Sequence, residues 1–218
     1  MIAQAIENIR KELPQGVKLV AVSKFHSSEA IMEAYGAGQR CFGESRPQEF
    51  EAKAKALPED IEWHFIGHLQ TNKLKMVLPY VSMVQSVDSE HLLRAIDRWC
   101  AGAGKTVDVL LELHLGAEQT KQGFTAEEIE AVLSSAADYP NVRLRGLMGM
   151  ATNTDDEGII RGDFERISAL MQHFKEKFST FKEFNELSIG MSGDWRIAVE
   201  YGATCVRIGT SIFGERQY

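Results

Sequence analysis

The sequence predicts an α/β fold, a single-domain TIM (β/α)8 barrel spanning residues 1–218. Two observations carry that expectation. Eight short apolar runs recur along the chain, and stretches with helical spacing separate them. Runs of this length, bounded by turn or charged residues, read as buried strands. Alternation with helices implies parallel pairing, because each crossover must return the chain to the same end. Eight such units can close into a barrel with the helices outside. An open doubly wound sheet is the alternative, since one run is a single dipeptide.

A first amphipathic helix over Ile2–Leu13 precedes the first run, Val17–Val22. Ile31, Met32 and Tyr35 form the apolar face of the next helix, with Ser27 and Ser28 as candidate N-caps. The short run Cys41–Phe42 follows, then a helix marked by Phe50, Ala54 and Leu57, then Trp63–Ile66. After Met83–Val87, Ser89 caps a helix carrying Leu92, Leu93, Ile96 and Trp99. Val107–Leu113 leads to Thr125, with Glu128 three residues on in the pattern of a capping box, ahead of Ile129, Val132 and Leu133. Val142–Met148 precedes the longest amphipathic stripe, from Phe164 to Phe174. Glu186–Ile189 and Thr204–Ile208 complete the set.

Composition narrows the function classes. The apolar fraction is 44% and the charged fraction 25%, enough for a sizeable core and incompatible with wholesale disorder. A net charge of −7 argues against non-specific nucleic-acid binding. No apolar run approaches the ~18 residues that a membrane span requires. The N-terminal segment lacks the unbroken apolar stretch of a signal peptide. Cys41, Cys100 and Cys205 are far apart with no CxxC, so they read as structural thiols in a reducing compartment, and a cytoplasmic location is expected.

In a barrel of this type, chemistry sits at the C-terminal ends of the strands. The first run ends in Val22-Ser23-Lys24. Lys24 is either a solvated lysine closing a strand or an amine held near apolar walls. Desolvation disfavours its ammonium form and makes it a better nucleophile toward an aldehyde, the requirement for a Schiff base. The seventh run ends in Ile189-Gly190-Met191-Ser192-Gly193-Asp194, and a helix follows. Small residues there free backbone N–H groups for an anion, and Ser192 adds a hydroxyl; an Asp cap with glycine turns is the alternative. The eighth run ends in Arg207-Ile208-Gly209-Thr210-Ser211, again small and hydroxylic before a short helix. Phosphate sites in this fold are built from the loops after strands seven and eight. Arg207 reads equally as an inward side chain meeting a polar ligand or as a structural ion pair.

Other strand ends say less. His64 and His68 are four apart but fall where a strand becomes a loop, with no accompanying carboxylate or cysteine in that segment, so no metal site is expected. Glu44 reads as a helix-start charge more readily than as a pocket carboxylate, and Cys41 as core packing. Lys73 and Lys121 lie in loop contexts and are weaker candidates than Lys24 for a reactive amine.

Taken together, the segments Ala21-Val22-Ser23-Lys24, Phe42-Gly43-Glu44, Trp63-His64-Phe65-Ile66-Gly67-His68-Leu69-Gln70, Ser86-Val87-Asp88-Ser89, Gly146-Leu147-Met148, Leu187 to Asp194 and Val206-Arg207-Ile208-Gly209-Thr210 resemble the pyridoxal phosphate homeostasis protein family (YggS/PROSC family) over nearly the whole length. The resemblance implies a barrel of the alanine racemase N-terminal type. It implies that Lys24 forms a Schiff base with pyridoxal 5′-phosphate and that Ser192, Gly193, Gly209 and Thr210 cradle the phosphate. Arg207 would face the pyridine nitrogen. An arginine there stays charged and keeps that nitrogen unprotonated, making the ring a poorer electron sink. One departure stands out: the family usually has Gly-Glu-Asn-Tyr where this chain has Gly43-Glu44-Ser45-Arg46, and no role is assigned to Ser45.

Racemases of this fold resemble the chain only in the barrel and add a C-terminal β domain that supplies a second acid/base. The resemblance therefore implies a protein that holds the cofactor for intracellular vitamin B6 homeostasis, not an enzyme. A pyridoxal-phosphate-dependent racemase or lyase is the first alternative. A nucleotide- or phosphosugar-binding barrel is the second. The expected partners are pyridoxal 5′-phosphate and apo-enzymes that use it, with no nucleic acid and no membrane, and the expected state is a monomer.

Overall fold

The computed structural model describes residues 1–115 and 122–215. Lys121 lies outside them. Among the described residues, eight parallel strands close into a barrel in sequence order, so the open-sheet alternative does not hold. The strands are β1 (Lys18–Val22), β2 (Cys41–Glu44), β3 (Glu62–Phe65), β4 (Met83–Val87), β5 (Val107–Glu112), β6 (Val142–Met148), β7 (Glu186–Ser188) and β8 (Cys205–Ile208). Closure is made by β8 on β1, with Lys18 opposite Cys205 and Ala21 opposite Ile208.

Helices lie between and outside the strands. They are α1 (Ile2–Glu12), α2 (Ser28–Gly36), α3 (Pro47–Ala56), α4 (Leu74–Val77), α5 (Glu90–Ala103), α6 (Ala126–Ser134), α7 (Glu157–Lys177), α8 (Trp195–Glu200) and α9 (Thr210–Phe213). Local chemistry sets several of their starts. Ser27, not Ser28, caps α2, its hydroxyl accepting the Ala30 N–H. Ser89 does the same for α5 through Leu92 N–H. Thr125 and Glu128 form the expected reciprocal capping box on α6.

The main core fills the layer between barrel and helices. Phe50 of α3 lies edge-on to Trp63 and Phe65 of β3, with ring centroids 5.8 Å apart in both pairs. Burying a ring of that size contributes about 1.5–3 kcal/mol. Inside the barrel, Val20, Cys41 and Cys205 form one small apolar cluster and Met83, Leu110 and Met148 another. Where β5 and β6 slip register, Gly146 takes φ +152°, and a Cβ there would sit 1.8 Å from the Glu186 carbonyl oxygen. Only glycine lets β6 and β7 pair at that point.

The second strand is longer than its apolar dipeptide predicts. Gly43 and Glu44 continue it, both buried. A Cβ on Gly43 would press within 2.9 Å of a Val20 methyl, and Glu44 is buried with Lys53 and Ser23 both bonding its Oε1. The expectation that Glu44 charges a helix start is therefore corrected: α3 begins at Pro47, and Glu44 is a strand residue in a buried ion pair.

Candidate functional site at the C-terminal mouth

Lys24 lies two residues beyond β1, in a turn that is held from below. Lys53 of α3 donates to the Ser23 carbonyl (2.8 Å), to Glu44 Oε1 (2.7 Å) and to Glu49 Oε1 (2.7 Å). The same Glu49 oxygen accepts the Phe25 N–H at 2.7 Å. Phe25 has φ +67°, a left-handed conformation uncommon for an aromatic residue. The residues flanking Lys24 are thus fixed by one buried lysine and two carboxylates. Burial pushes the Glu44 carboxyl up, with Lys53 and Ser23 opposing, and its Oε2 is buried with no hydrogen-bond partner among the described residues. Arg46, which stands where the family pattern has tyrosine, places its guanidinium 5.0 Å from the Phe25 ring centroid. Ser45 packs by its backbone: a Cβ on Gly67 would lie 2.2 Å from its carbonyl oxygen.

The two expected anion turns are joined. Gly190 ends the seventh strand segment at φ +95°, where a Cβ would meet Ala198 at 2.7 Å, so α8 packs directly on the turn. Asp194 does not cap α8 with its side chain; it accepts the Met191 N–H at 2.5 Å and closes the turn from within. Ser192 Oγ accepts the Gly209 N–H at 3.2 Å, linking the loop after β7 to the loop after β8. Gly193 has open space where a Cβ would be, so packing does not demand its glycine.

Arg207 is 4% exposed, and its hydrogen-bond partners among the described residues are neutral. Nη1 donates to the Ser188 carbonyl (2.7 Å) and to Ser188 Oγ (2.6 Å), and Nη2 to the Gly149 carbonyl (2.9 Å). The ion-pair reading of Arg207 gives way to a buried cation fixed by carbonyls. Burial presses its pKa down, but a guanidinium keeps its proton in proteins. Ser188 starts a polar chain along the barrel axis. Its hydroxyl donates to Gln85 Oε1 (2.7 Å), Gln85 Nε2 lies 2.7 Å from His64 Nδ1, and His64 Nε2 lies 3.2 Å from Glu62 Oε1. Lys18 Nζ completes it, 2.6 Å from the same Glu62 oxygen.

All six residues predicted from sequence to hold a cofactor, Lys24, Ser192, Gly193, Arg207, Gly209 and Thr210, line one cavity of about 230 Å³. Its apolar walls are Val22, Ile66, Met148, Met150 and Met191, and His26 is a further polar member. His26 stacks on Phe213 of α9 with centroids 4.9 Å apart. Sequence reasoning missed His26, although it lies only two residues past Lys24. It also missed Glu112, at the end of β5, where burial and the Asp88 charge hold the carboxyl up at about 7 against the pull of Arg207. The segment of His64 and His68 holds no carboxylate or cysteine, but the fold brings Glu62 and Cys41 to His64. His68 is separate, its Nδ1 3.1 Å from Asp88.

An amine, a fixed buried cation and two linked small-residue turns on one half-apolar cavity suit a flat ligand with an anionic tail. Residues 1–217 match the family profile of the alanine racemase N-terminal domain. The pyridoxal phosphate homeostasis protein of Aquifex aeolicus (strain VF5) is 35% identical, over all of this chain and 97% of that one. The chain belongs to the pyridoxal phosphate homeostasis protein family. A solved structure of PipY from Synechococcus elongatus PCC7942 with PLP bound is 35% identical and superposes with TM-score 0.91, covering 98% of this chain and 100% of that one. Beyond this homeostasis protein family, alanine racemase from Bartonella henselae, with covalently bound pyridoxal phosphate, superposes with TM-score 0.74 over 99% of this chain and 58% of its own. At 14% identity that likeness concerns the barrel alone. Among the described residues, no helix is long and apolar enough to cross a membrane.

Proposed function

We propose that this chain holds pyridoxal 5′-phosphate as a Schiff base on Lys24 and serves as a non-catalytic carrier in cytoplasmic vitamin B6 homeostasis, releasing the cofactor to apo-enzymes. In this reading one domain over residues 1–218 carries the site and acts as a monomer, without nucleic acid or membrane. Ser192, Gly193, Gly209 and Thr210 receive the phosphate, and Arg207 faces the ring nitrogen.

The single observation that carries the reading is the convergence of Lys24, Arg207 and the two linked turns on one cavity. The cavity's chemistry fits the group. Its Met, Val and Ile walls suit a flat ring, and small and hydroxylic residues at one side suit a phosphate. The bound cofactor supplies an aldehyde that an amine captures reversibly. This chain's residues supply the amine, its placement through Lys53 and Glu49, and a charged group that favours an unprotonated ring nitrogen. Carrier behaviour is favoured over turnover by the source of the acid–base groups. Among the described lining residues, the amine of Lys24 and the imidazole of His26 come from the same loop after β1. Two-sided proton transfer needs a group on each face.

The test is borohydride reduction of the purified protein after addition of pyridoxal 5′-phosphate, followed by peptide mapping. The label is expected on Lys24, with the new visible absorbance of the adduct missing in Lys24→Ala. A label on another lysine overturns the assignment. Sustained turnover of amino acids by the loaded protein, lost in Lys24→Ala, replaces the carrier with a racemase or lyase.

A further inference from the structure

The opposite mouth of the barrel holds a second constellation of reactive side chains. Cys41 opens β2, Glu62 opens β3, and His64 follows two residues along β3, so Glu62 and His64 share one face of the strand. Strand register sets Cys41 directly opposite Glu62. The sulfur, a carboxylate oxygen and an imidazole nitrogen lie within 4.8 Å of one another. His64 is wholly buried and Cys41 is 6% exposed. A cavity of about 350 Å³ at this end is lined by both Cys41 and Glu62, giving small ions a route to the sulfur and the carboxylate.

We propose that Cys41, Glu62 and His64 bind a transition-metal dication of the zinc class, with a fourth position open to solvent from this cavity. A thiolate, an imidazole and a carboxylate are the donors zinc uses; magnesium and calcium take oxygen donors alone. Donors bonded to one tetrahedral zinc ion stand about 3.4–3.6 Å apart; His64 Nε2 and Glu62 Oε1 are already 3.2 Å apart, so the main adjustment on binding is at the Cys41 sulfur. The Cys41 thiol releases its proton to solvent as the metal–sulfur bond forms. His64 binds through Nε2, the nitrogen facing Glu62, and its other nitrogen already has an orienting partner in the Gln85 amide, 2.7 Å away. With Nδ1 carrying the proton, that amide reverses, its oxygen accepting from the ring and its NH₂ donating to Ser188 Oγ in place of the present Ser188 O–H bond, which gives the outer support a metal-bound histidine needs. Lys18 holds Glu62 at 2.6 Å and is part exposed, so the dication displaces an ammonium that can move into water. The site lies at the far end of the strands from Lys24 and stands independently of the cofactor reading.

The test is titration of the full-length protein with Zn²⁺ by calorimetry and with Co²⁺ by absorbance. One ion per chain is expected, with a thiolate-to-cobalt charge-transfer band and visible ligand-field bands of four-coordinate cobalt. Cys41→Ser removes the charge-transfer band, and Glu62→Gln weakens binding by at least about tenfold. Cys100→Ser, on α5, leaves both signals unchanged. Lys18→Met tightens binding, because a competing cation is gone. That last result separates a metal site from a structural ion-pair network. Absence of saturable binding, or binding that survives both Cys41→Ser and Glu62→Gln, overturns the proposal and leaves the network only.

Discussion

At Glu112, 8% exposed at the end of β5, the carboxyl keeps its proton up to about 7, whereas the unfolded chain releases it near 4.5. The cause is first burial and then the charge of Asp88, with Arg207 opposing. The folded state therefore binds the extra proton between those two values. Its stability falls as pH rises through that window and is level above it. For the protein without added cofactor, this amounts to about 3 kcal/mol between the ends of the window. Glu112→Gln, which stays neutral, is expected to flatten that part of the profile in urea melts at pH 5 and pH 8. An unchanged slope in the variant assigns the proton to another group. The Arg207 charge that opposes this proton shift lines the candidate site, so one barrel position links site electrostatics to fold stability.

At the scale of elements, α3 and the end of β2 work as one support for the turn after β1. Lys53 bonds the Ser23 carbonyl and both carboxylates, and Glu49 secures Phe25. Lys53→Met removes the cation and leaves Glu44 buried without it, at a cost of about 3 kcal/mol. Pairing it with Glu44→Gln is expected to recover part of that loss, measured as the urea midpoint in a double-mutant cycle; simple additivity of the two losses would show that the residues act separately. None of this support was legible in the sequence. Periodicity reports apolar burial, so it found Val17–Val22 and Met83–Val87 but stopped β2 at Phe42, where the buried residues become Gly43 and Glu44. Strand ends were legible because fold class says where to look, and that placed Lys24, Ser192, Gly209 and Thr210 around one cavity. Cys41 and Glu62 escaped because a parallel register between neighbouring strands leaves no trace in spacing along either one.

At the scale of the whole molecule, the two ends of the barrel are joined by side chains and not only by backbone. Arg207, Ser188, Gln85, His64, Glu62 and Lys18 form a chain of contacts from the C-terminal cavity to the N-terminal mouth. Its central member, Gln85, is fully buried and meets Ser188 from a position 103 residues away in sequence. Polar groups in that position are stabilising only when each has its partner, because an unpaired one carries its full desolvation cost. Gln85→Leu matches the volume but removes its contacts to Ser188, His64 and Cys205, leaving His64 Nδ1 and the Ser188 O–H without that partner, while Ser188 Oγ still accepts from Arg207. The expected loss is about 2–4 kcal/mol, read from the urea midpoint. Leu is apolar and close in size, so a cavity contributes little and the loss reports the polar chain itself. Arg207 keeps its bonds to the Ser188 and Gly149 carbonyls, so the C-terminal cavity is expected to retain its shape and the variant its uptake of pyridoxal 5′-phosphate. A variant as stable as the parent would mean that water or a shifted side chain satisfies the axis, and the barrel would then owe its interior order to the apolar clusters flanking Gln85.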